Sequence, residues 1–156
     1  MKKIKYLIMD VDGTLTDGKI YVGVTGEIMK SFSVKDGYGI HDIIMRNEIV
    51  PVILTSRKSD IVLNRCKELE IDHIYQGVKD KTVMLNKISN NFSNVAYIGD
   101  DLNDYECMKM VKKSGGIIGC PRDANRHILD IAHFVSSYEG GNGAVREFIE
   151  WIVDND

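Results

Sequence analysis

The stretch from Tyr6 to Gly18 reads Y-L-I-M-D-V-D-G-T-L-T-D-G, and it indicates the fold more strongly than any other part of the chain. Its apolar run, Tyr6 to Met9, carries no charge, which is typical of a parallel strand that is buried on both faces. The run ends at two acids, Asp10 and Asp12, and Gly13 then allows a sharp turn. Ligands bind at the carboxyl ends of strands in open α/β sheets, so we expect these acids to take part in chemistry.

The spacing of the two acids also indicates a metal site. Asp10 and Asp12 are two residues apart, so on an extended backbone both side chains leave the same face. Two like charges at this spacing are unfavourable unless a cation lies between them, and a divalent ion with oxygen ligands meets that need. Mg²⁺ is the expected ion. The alternative is an ordinary Asp-Gly turn after a strand, which needs no ligand.

Length and composition indicate one domain of ordinary size. The 156 residues, 44% of them hydrophobic, suffice for a domain over 1–156 with a hairpin insertion at about 18–34 and a tail at about 139–156. The net charge of −3 comes without a basic block, so we expect no nucleic-acid partner. No stretch is long and apolar enough for a bilayer, so we expect no membrane partner and a cytoplasmic protein. Three cysteines without C-x-x-C spacing fit a reducing compartment, namely Cys66, Cys107 and Cys120.

Apolar runs and helical patterns alternate along the rest of the chain. The further predicted strands are Ile49 to Leu54, Asp72 to Tyr75, Val95 to Ile98, Gly115 to Ile118 and Phe134-Val135. The predicted helices are Ile40 to Asn47, Ser59 to Leu69, Lys79 to Ile88, Asn103 to Val111, Ala124 to Leu129 and Ala144 to Val153. This order predicts an α/β fold with a Rossmann-like, doubly wound and mostly parallel sheet. A β-hairpin around Val24 to Glu27 follows strand 1. The segment Asp36 to Gly39 is predicted to interrupt regular secondary structure.

Polar residues follow three of the predicted strands and should meet at one edge of the sheet. The first strand leads to Asp10 and Asp12, the second to Thr55, and the strand at 95–98 to Asp100 and Asp101. An Asp-Asp pair before a helix is often only a helix cap. Three such strand ends together indicate a functional site.

Phosphoryl transfer to a carboxylate requires this set of groups. Asp10 would attack phosphorus, while Asp12 would protonate the leaving oxygen and then activate water. Thr55 would donate its hydroxyl to a phosphate oxygen, and Lys81 would supply a positive charge. Lys79, two residues earlier, competes with Lys81 for that role, and either lysine can instead be a solvated helix end.

The chain resembles the haloacid dehalogenase-like phosphatases in four motifs, taken in order: D-V-D-G-T at 10–14, Thr55, Lys81 and G-D-D at 99–101. The resemblance implies an aspartyl-phosphate on Asp10 and Mg²⁺ held by Asp10, the backbone carbonyl of Asp12, and Asp100. Asp101 and Asn103 are expected to support these ligands. The resemblance also implies a homotetramer whose neighbouring subunits close the site. The sequence agrees, because no cap domain fits between the motifs and the site needs a cover that excludes water.

Further matches resemble the capless members of this superfamily that act on 2-keto-3-deoxy sugar acid phosphates, among them T-S-R-K at 55–58 and G-N-G-A-V-R-E at 141–147. The expected substrate is 3-deoxy-D-manno-octulosonate 8-phosphate, and a nonulosonate 9-phosphate is the alternative. Arg57 is expected to bind the substrate carboxylate, because a guanidinium pairs with a carboxylate bidentately. Arg146 and Lys35 are further candidates for substrate binding, Arg146 in its own or a neighbour's site.

Two other interpretations use the same motifs. A phosphoacceptor signalling domain also combines paired acids, a threonine and a lysine on a doubly wound sheet, but its acceptor follows a middle strand. A weakly active or non-catalytic oligomerisation module, like the domain fused to acylneuraminate cytidylyltransferases, would retain the motifs without efficient turnover. Repeated hydrolysis of a small phosphate ester separates a phosphatase from both.

Overall fold

The structure, a computed structural model, describes residues 3–155 and is built on a parallel sheet. The strands are β1 (Tyr6–Met9), β2 (Tyr21–Gly23), β3 (Gly26–Met29), β4 (Val50–Leu54), β5 (His73–Tyr75), β6 (Val95–Ile98), β7 (Ile117–Cys120) and β8 (Phe134–Val135). Six of them form one sheet in the order β5-β4-β1-β6-β7-β8, with every pairing parallel, and β2 and β3 form an antiparallel hairpin. The predicted α/β class and the hairpin after strand 1 are confirmed, and no cap domain is present within 3–155. The predicted domain's outermost residues, 1–2 and 156, lie outside the described part of the chain.

Strand β1 lies in the middle of the sheet between β4 and β6. Leu7, Ile8 and Met9 have no exposed surface, as expected for a strand covered on both faces. Met9 is level with Ile53 of β4 and Ile98 of β6. The three strands therefore end at the same height, and the residues that follow them meet at one edge.

Helices cover both faces of this sheet. They are α1 (Val34–Tyr38), α2 (Ile44–Arg46), α3 (Asp60–Glu68), α4 (Lys81–Ile88), α5 (Leu102–Lys113), α6 (Arg126–Ile131) and α7 (Ala144–Asn155). One apolar core includes buried residues of α2, α3 and α7, and a second includes buried residues of α4, α5 and α6. The doubly wound arrangement follows from these two cores. None of the helices within 3–155 combines the length and the apolar character that crossing a membrane requires.

The prediction that Asp36 to Gly39 interrupts regular secondary structure is wrong. The segment is helical, since α1 runs into a π-helical segment, Gly39–Ile43, that continues into α2. Ser33 caps this start by accepting from two backbone N–H groups. The glycines serve close packing, because a Cβ at Gly37 would lie 2.5 Å from the guanidinium of Arg65, and one at Gly39 would lie 3.1 Å from the nearest atoms of α7.

Two local details also differ from the sequence prediction. Strand β7 begins two residues later than predicted, because Gly115, at φ +86°, still belongs to the turn that ends α5. Helix α3 begins at Asp60, one residue later than predicted, and Ser59 is its N-cap residue, although the Ser59 side chain makes no capping hydrogen bond. The three cysteines are free and buried, as expected for core thiols.

Truncation of Phe148 tests how α7 is held on the sheet. Its ring is fully buried and packs against Phe134 at 5.6 Å and Trp151 at 6.2 Å between ring centroids. We expect Phe148→Ala to lower the free energy of unfolding by about 3–5 kcal/mol in urea denaturation, since it opens a cavity between α7 and β7. Asp154→Ala, on the exposed end of the same helix, should change it by less than about 0.5 kcal/mol. Equal losses in the two variants would contradict this packing.

Candidate active site

A cavity of about 470 Å³ opens at the carboxyl ends of β1, β4 and β6. Its lining consists of Asp10, Asp12, Gly18, Thr55, Ser56, Arg57, Asp100, Asp101, Leu102 and Asn103. The acids and the threonine that the sequence predicted at three separate strand ends therefore share one cavity. This position is the usual ligand site of an open parallel sheet.

The floor of the cavity is a buried ion cluster centred on Lys81. Its Nζ donates to Oδ1 of Asp10 at 2.7 Å and to Oδ1 of Asp104 at 2.8 Å. All three residues are at most 4% exposed. Lys79 is exposed, so of the two predicted lysines Lys81 is the one that reaches the acids. Asp80 caps α4 directly before Lys81 and fixes the start of that helix.

The turn after β1 brings Asp10 and Asp100 together. Gly13 has φ +91°, and a Cβ on it would lie 2.0 Å from Oδ2 of Asp100. The turn is closed by the Val11 carbonyl, which accepts from three following N–H groups, and by Thr14, whose hydroxyl donates to Asp100 Oδ1 at 3.1 Å. Only glycine fits at position 13, because both its backbone conformation and its closeness to Asp100 exclude a side chain.

Three carboxylates lie close enough to share one cation. Oxygen atoms of Asp10, Asp100 and Asp104 all lie within 4.8 Å of one another. With the Lys81 ammonium the four groups carry a formal charge of −2 when all are ionised, and hard carboxylate oxygens are what Mg²⁺ or Ca²⁺ prefers. The residues present therefore fit a divalent cation.

The pKa values reflect this crowding of negative charge. Burial, and then the Asp104 carboxylate, raises the pKa of Asp10 well above its ordinary range, while Lys81 opposes the rise. Burial and Asp104 likewise raise the pKa of Asp100 to about 7. Burial alone would lower the pKa of Lys81, but Asp104 and Asp10 outweigh it and raise that pKa. Without a bound cation, protons compensate part of the excess negative charge.

The side chain of Asp12 forms an ion pair with a lysine of the hairpin segment. It faces Lys30, whose side chain is fully buried and whose Nζ contacts Asp12 Oδ1. The same Nζ lies 2.9 Å from Glu27, which also accepts from Ser59 Oγ at 2.6 Å. Since Glu27 lies on β3 and Lys30 follows it, the hairpin covers one side of the cavity.

The remaining predicted residues of the cavity lie at its rim or wall. Thr55 is buried at the end of β4, and the half-exposed Arg57 lies 3.9 Å from Asp12 and 3.5 Å from Glu27. Asp101 caps α5 through the Leu102 N–H, and the Asn103 amide donates to Ser56 at 3.5 Å. Support of the metal ligands by Asp101 and Asn103 stays a prediction.

Lys35 and Arg146 do not line this cavity within one subunit. They line another cavity of about 310 Å³ beside the start of α7. The Nε of Arg146 donates to Glu150 at 2.6 Å, and its guanidinium lies 5.0 Å from the ring centroid of Tyr38. Contact of either residue with a substrate requires a neighbouring subunit or a movement of the chain.

Sequence analysis missed Asp104 and Lys30. Asp104 lies four residues after Asp100, in the first turn of α5, so the spacing D-x-x-x-D at a helix start was the available signal. A Cβ at Gly99 would lie 2.5 Å from the Asp104 carboxyl carbon, which explains the glycine before Asp100. No local pattern marks Lys30, because only the folded hairpin brings it to Asp12.

Comparison with known proteins gives several close relatives, although no family model matches the chain. The 3-deoxy-D-manno-octulosonate 8-phosphate phosphatase of Escherichia coli K12 is 40% identical over 156 residues, which covers 97% of this chain and 80% of the relative. The crystal structure of the Yersinia pestis phosphatase of that name superposes with a TM-score of 0.85 at 41% identity, covering 96% of this chain and 80% of that one. The Moraxella catarrhalis phosphatase, whose structure was solved with magnesium, phosphate and KDO, superposes with a TM-score of 0.86 at 37% identity. The match covers 97% of this chain and 86% of that one.

Titration of Asp100 should make the stability of the metal-free protein depend on pH. Its pKa rises on folding from an ordinary 3.8 to about 7, so its contribution to stability is complete below about pH 3.8 and is lost as the pH rises through 7. We expect the free energy of unfolding in chelator to fall by roughly 2 kcal/mol more in the parent than in Asp100→Asn between about pH 5 and pH 8. Urea denaturation across this range measures the difference. Parallel pH profiles of the two proteins would contradict the assignment.

Proposed function

This chain belongs to the family of 3-deoxy-D-manno-octulosonate 8-phosphate phosphatases within the haloacid dehalogenase-like superfamily, and we propose that it is a magnesium-dependent phosphomonoesterase acting on that substrate. The observation that carries the proposal is the ion cluster at the strand ends, in which Lys81 contacts Asp10 and three carboxylates surround one point. The relative solved with magnesium, phosphate and KDO supports the same substrate and ion.

Mg²⁺ would be held by Asp10, Asp100 and the backbone carbonyl of Asp12, and when bound it supplies positive charge to a phosphate oxygen. The Asp104 carboxylate is occupied by Lys81 and Tyr97, so we assign it to positioning Lys81. Lys81 contacts Oδ1 of Asp10 and leaves the second oxygen of that carboxylate for attack. Lys81 and Thr55 would hold the phosphate oxygens as charge develops on them.

The reaction takes place in two displacements at phosphorus. First, an Asp10 oxygen forms a bond to phosphorus while the bond to the sugar oxygen breaks, and Asp12 gives its proton to that oxygen. Next, a water molecule gives a proton to Asp12 and attacks phosphorus, which releases inorganic phosphate and restores Asp10. We assign both proton transfers to Asp12, which lines the same cavity as Asp10.

Arg57 is the residue that we assign to the substrate carboxylate. It lies beside the cavity with 48% of its side chain exposed, so its guanidinium is available to a ligand. An arginine fork binds a carboxylate bidentately, which distinguishes a sugar acid phosphate from a neutral sugar phosphate. Arg146 and Lys35 would meet a substrate in the site of a neighbouring subunit, or in their own site after a movement of the chain.

The hairpin supports a homotetramer in which neighbouring subunits close the site. It exposes a set of large apolar side chains that a monomer has no reason to present to water, namely Ile20, Tyr21, Val22, Val24, Ile28 and Met29. Val24 is fully exposed, and Val22 is 70% exposed. The cavity is open, and exclusion of water from the transition state requires a cover. We assign the protein to the cytoplasm, in agreement with its three free, buried cysteines.

Hydrolysis by the parent and by Asp10→Asn tests the function. We expect the parent with Mg²⁺ to release many equivalents of phosphate from 3-deoxy-D-manno-octulosonate 8-phosphate, with kcat/KM at least about tenfold above that for a nonulosonate 9-phosphate. Asp10→Asn should lose roughly 10,000-fold in kcat, because the nucleophile is gone. Phosphate release is measured directly.

Asp17→Asn is the matched control, since Asp17 is an exposed residue of the same loop. It should keep the parent's kcat. Full activity of Asp10→Asn would refute the assignment of Asp10 as the nucleophile. A higher kcat/KM for the nonulosonate ester would assign the other substrate, and a single turnover or none would leave the chain as a phosphoacceptor or a non-catalytic module.

Sedimentation velocity tests the proposed tetramer. We expect the parent to sediment as a tetramer, and Val22→Glu to form smaller species with a raised KM, because a charge is placed within an apolar interface. Val83→Glu changes an equally apolar residue, 52% exposed on α4, and should leave the tetramer intact. A parent that is monomeric and fully active at the same concentration would overturn the assignment.

A further inference from the structure

Tyr97 has a hydroxyl group at a core position where packing alone does not require one. It lies on β6 with no exposed surface, and its strand neighbours Val95, Ala96 and Ile98 are apolar and buried. Phenylalanine would fill nearly the same volume. A buried hydroxyl is costly unless it is hydrogen-bonded, and this one donates to Asp104 Oδ1 at 2.7 Å.

The Asp104 carboxylate is held from three sides. Its Oδ1 accepts from both Tyr97 and Lys81, and its Oδ2 accepts from the Asp100 N–H at 3.2 Å. Since Tyr97 and Lys81 share a single oxygen, the tyrosine restricts the rotation of the carboxylate and so the direction from which Lys81 is bound. Lys81 in turn contacts Asp10, so the chain of contacts runs from Tyr97 through Asp104 to the reacting carboxylate.

We propose that Tyr97 is a positioning residue for phosphoryl transfer, acting through Asp104 to fix Nζ of Lys81 where a phosphate oxygen binds. This inference rests on the proposed function and goes beyond it by adding a residue that does not line the cavity. Misplacement of a charged group by a fraction of an ångström at a reacting centre is enough to reduce the rate. The hydroxyl therefore matters for catalysis as well as for packing.

The surroundings of the hydroxyl support its role as a donor. Burial, and then the Asp104 carboxylate, raises the pKa of Tyr97 well above its ordinary value, so the hydroxyl keeps its proton. Cys107, on the same face of α5 as Asp104, also lies against it. Burial raises the pKa of that thiol to about 12, so no thiolate competes for the tyrosine proton.

The first test compares Tyr97→Phe with Tyr105→Phe in the full, Mg²⁺-loaded protein. We expect Tyr97→Phe to lower kcat for the sugar acid phosphate about tenfold and to raise the Kd of orthovanadate about fivefold in calorimetric titration. Tyr105, a partly buried tyrosine whose ring contacts Lys109 and His127, provides the matched loss of a hydroxyl and should change neither value. Titrations at 10 °C, well below unfolding, keep any loss of thermal stability out of the comparison.

The second test repeats the orthovanadate titration in a Lys81→Ala background. If Tyr97 acts through Lys81, Tyr97→Phe changes the Kd of the Lys81→Ala protein by less than about 1.5-fold, because the group that it positions is absent. A fivefold effect in both backgrounds would show a general structural role and refute the proposal. Unchanged kcat and Kd in Tyr97→Phe would also refute it, whereas a parent that hydrolyses no phosphate ester would instead refute the proposed function.

Discussion

Repulsion among three clustered carboxylates, two buried and one partly buried, is the constraint on which the rest of this structure depends. Asp10, Asp100 and Asp104 converge within 4.8 Å, and Lys81 compensates only one of their charges. A hydrophobic interior makes such an arrangement expensive, as the raised pKa values of Asp10 and Asp100 indicate. The fold must therefore hold the acids in place against their mutual repulsion, and the remaining charge of −2 is suited to a divalent ion.

The fold holds the acids through backbone contacts that leave no room for adjustment. Equal register places the ends of β4, β1 and β6 side by side. The segment before α7 supports the first turn from outside, since a Cβ on Gly140 would lie 1.9 Å from the Gly13 carbonyl oxygen, and the Gly141 N–H donates to Thr14. Asp36 in turn accepts from the Arg146 N–H at the start of α7. Distant parts of the chain thus share the task of fixing one short loop.

The sequence was sufficient to predict groups that follow directly from strand ends. Asp10 and Thr55 come immediately after an apolar run, and Asp100 follows one after a single glycine, so parallel pairing requires them to meet. Groups that depend on tertiary contacts could not be found in this way. Lys30 reaches Asp12 only because the hairpin folds over the cavity. In the sequence Tyr97 is an ordinary strand residue, and only the structure shows its hydrogen bond to Asp104.

The helical segment at Asp36 to Gly39 could not be predicted from the sequence for a different reason. Glycine usually marks a turn, but here it allows helices to approach one another, and sequence patterns do not distinguish the two uses. Ser33, which caps the helix, was the local signal for a helix start, and buried packing against α3 and α7 outweighed the low helix propensity of glycine. The tertiary structure therefore decided the outcome at this position.

The location of the bound ion tests the central claim most directly. An anomalous difference map from crystals grown with Mn²⁺ in place of Mg²⁺ should show one ion between the carboxylates of Asp10 and Asp100, with Lys81 still bound to Asp104. An ion bound by Asp104 with Lys81 displaced, or no ion at the strand ends, would contradict the account.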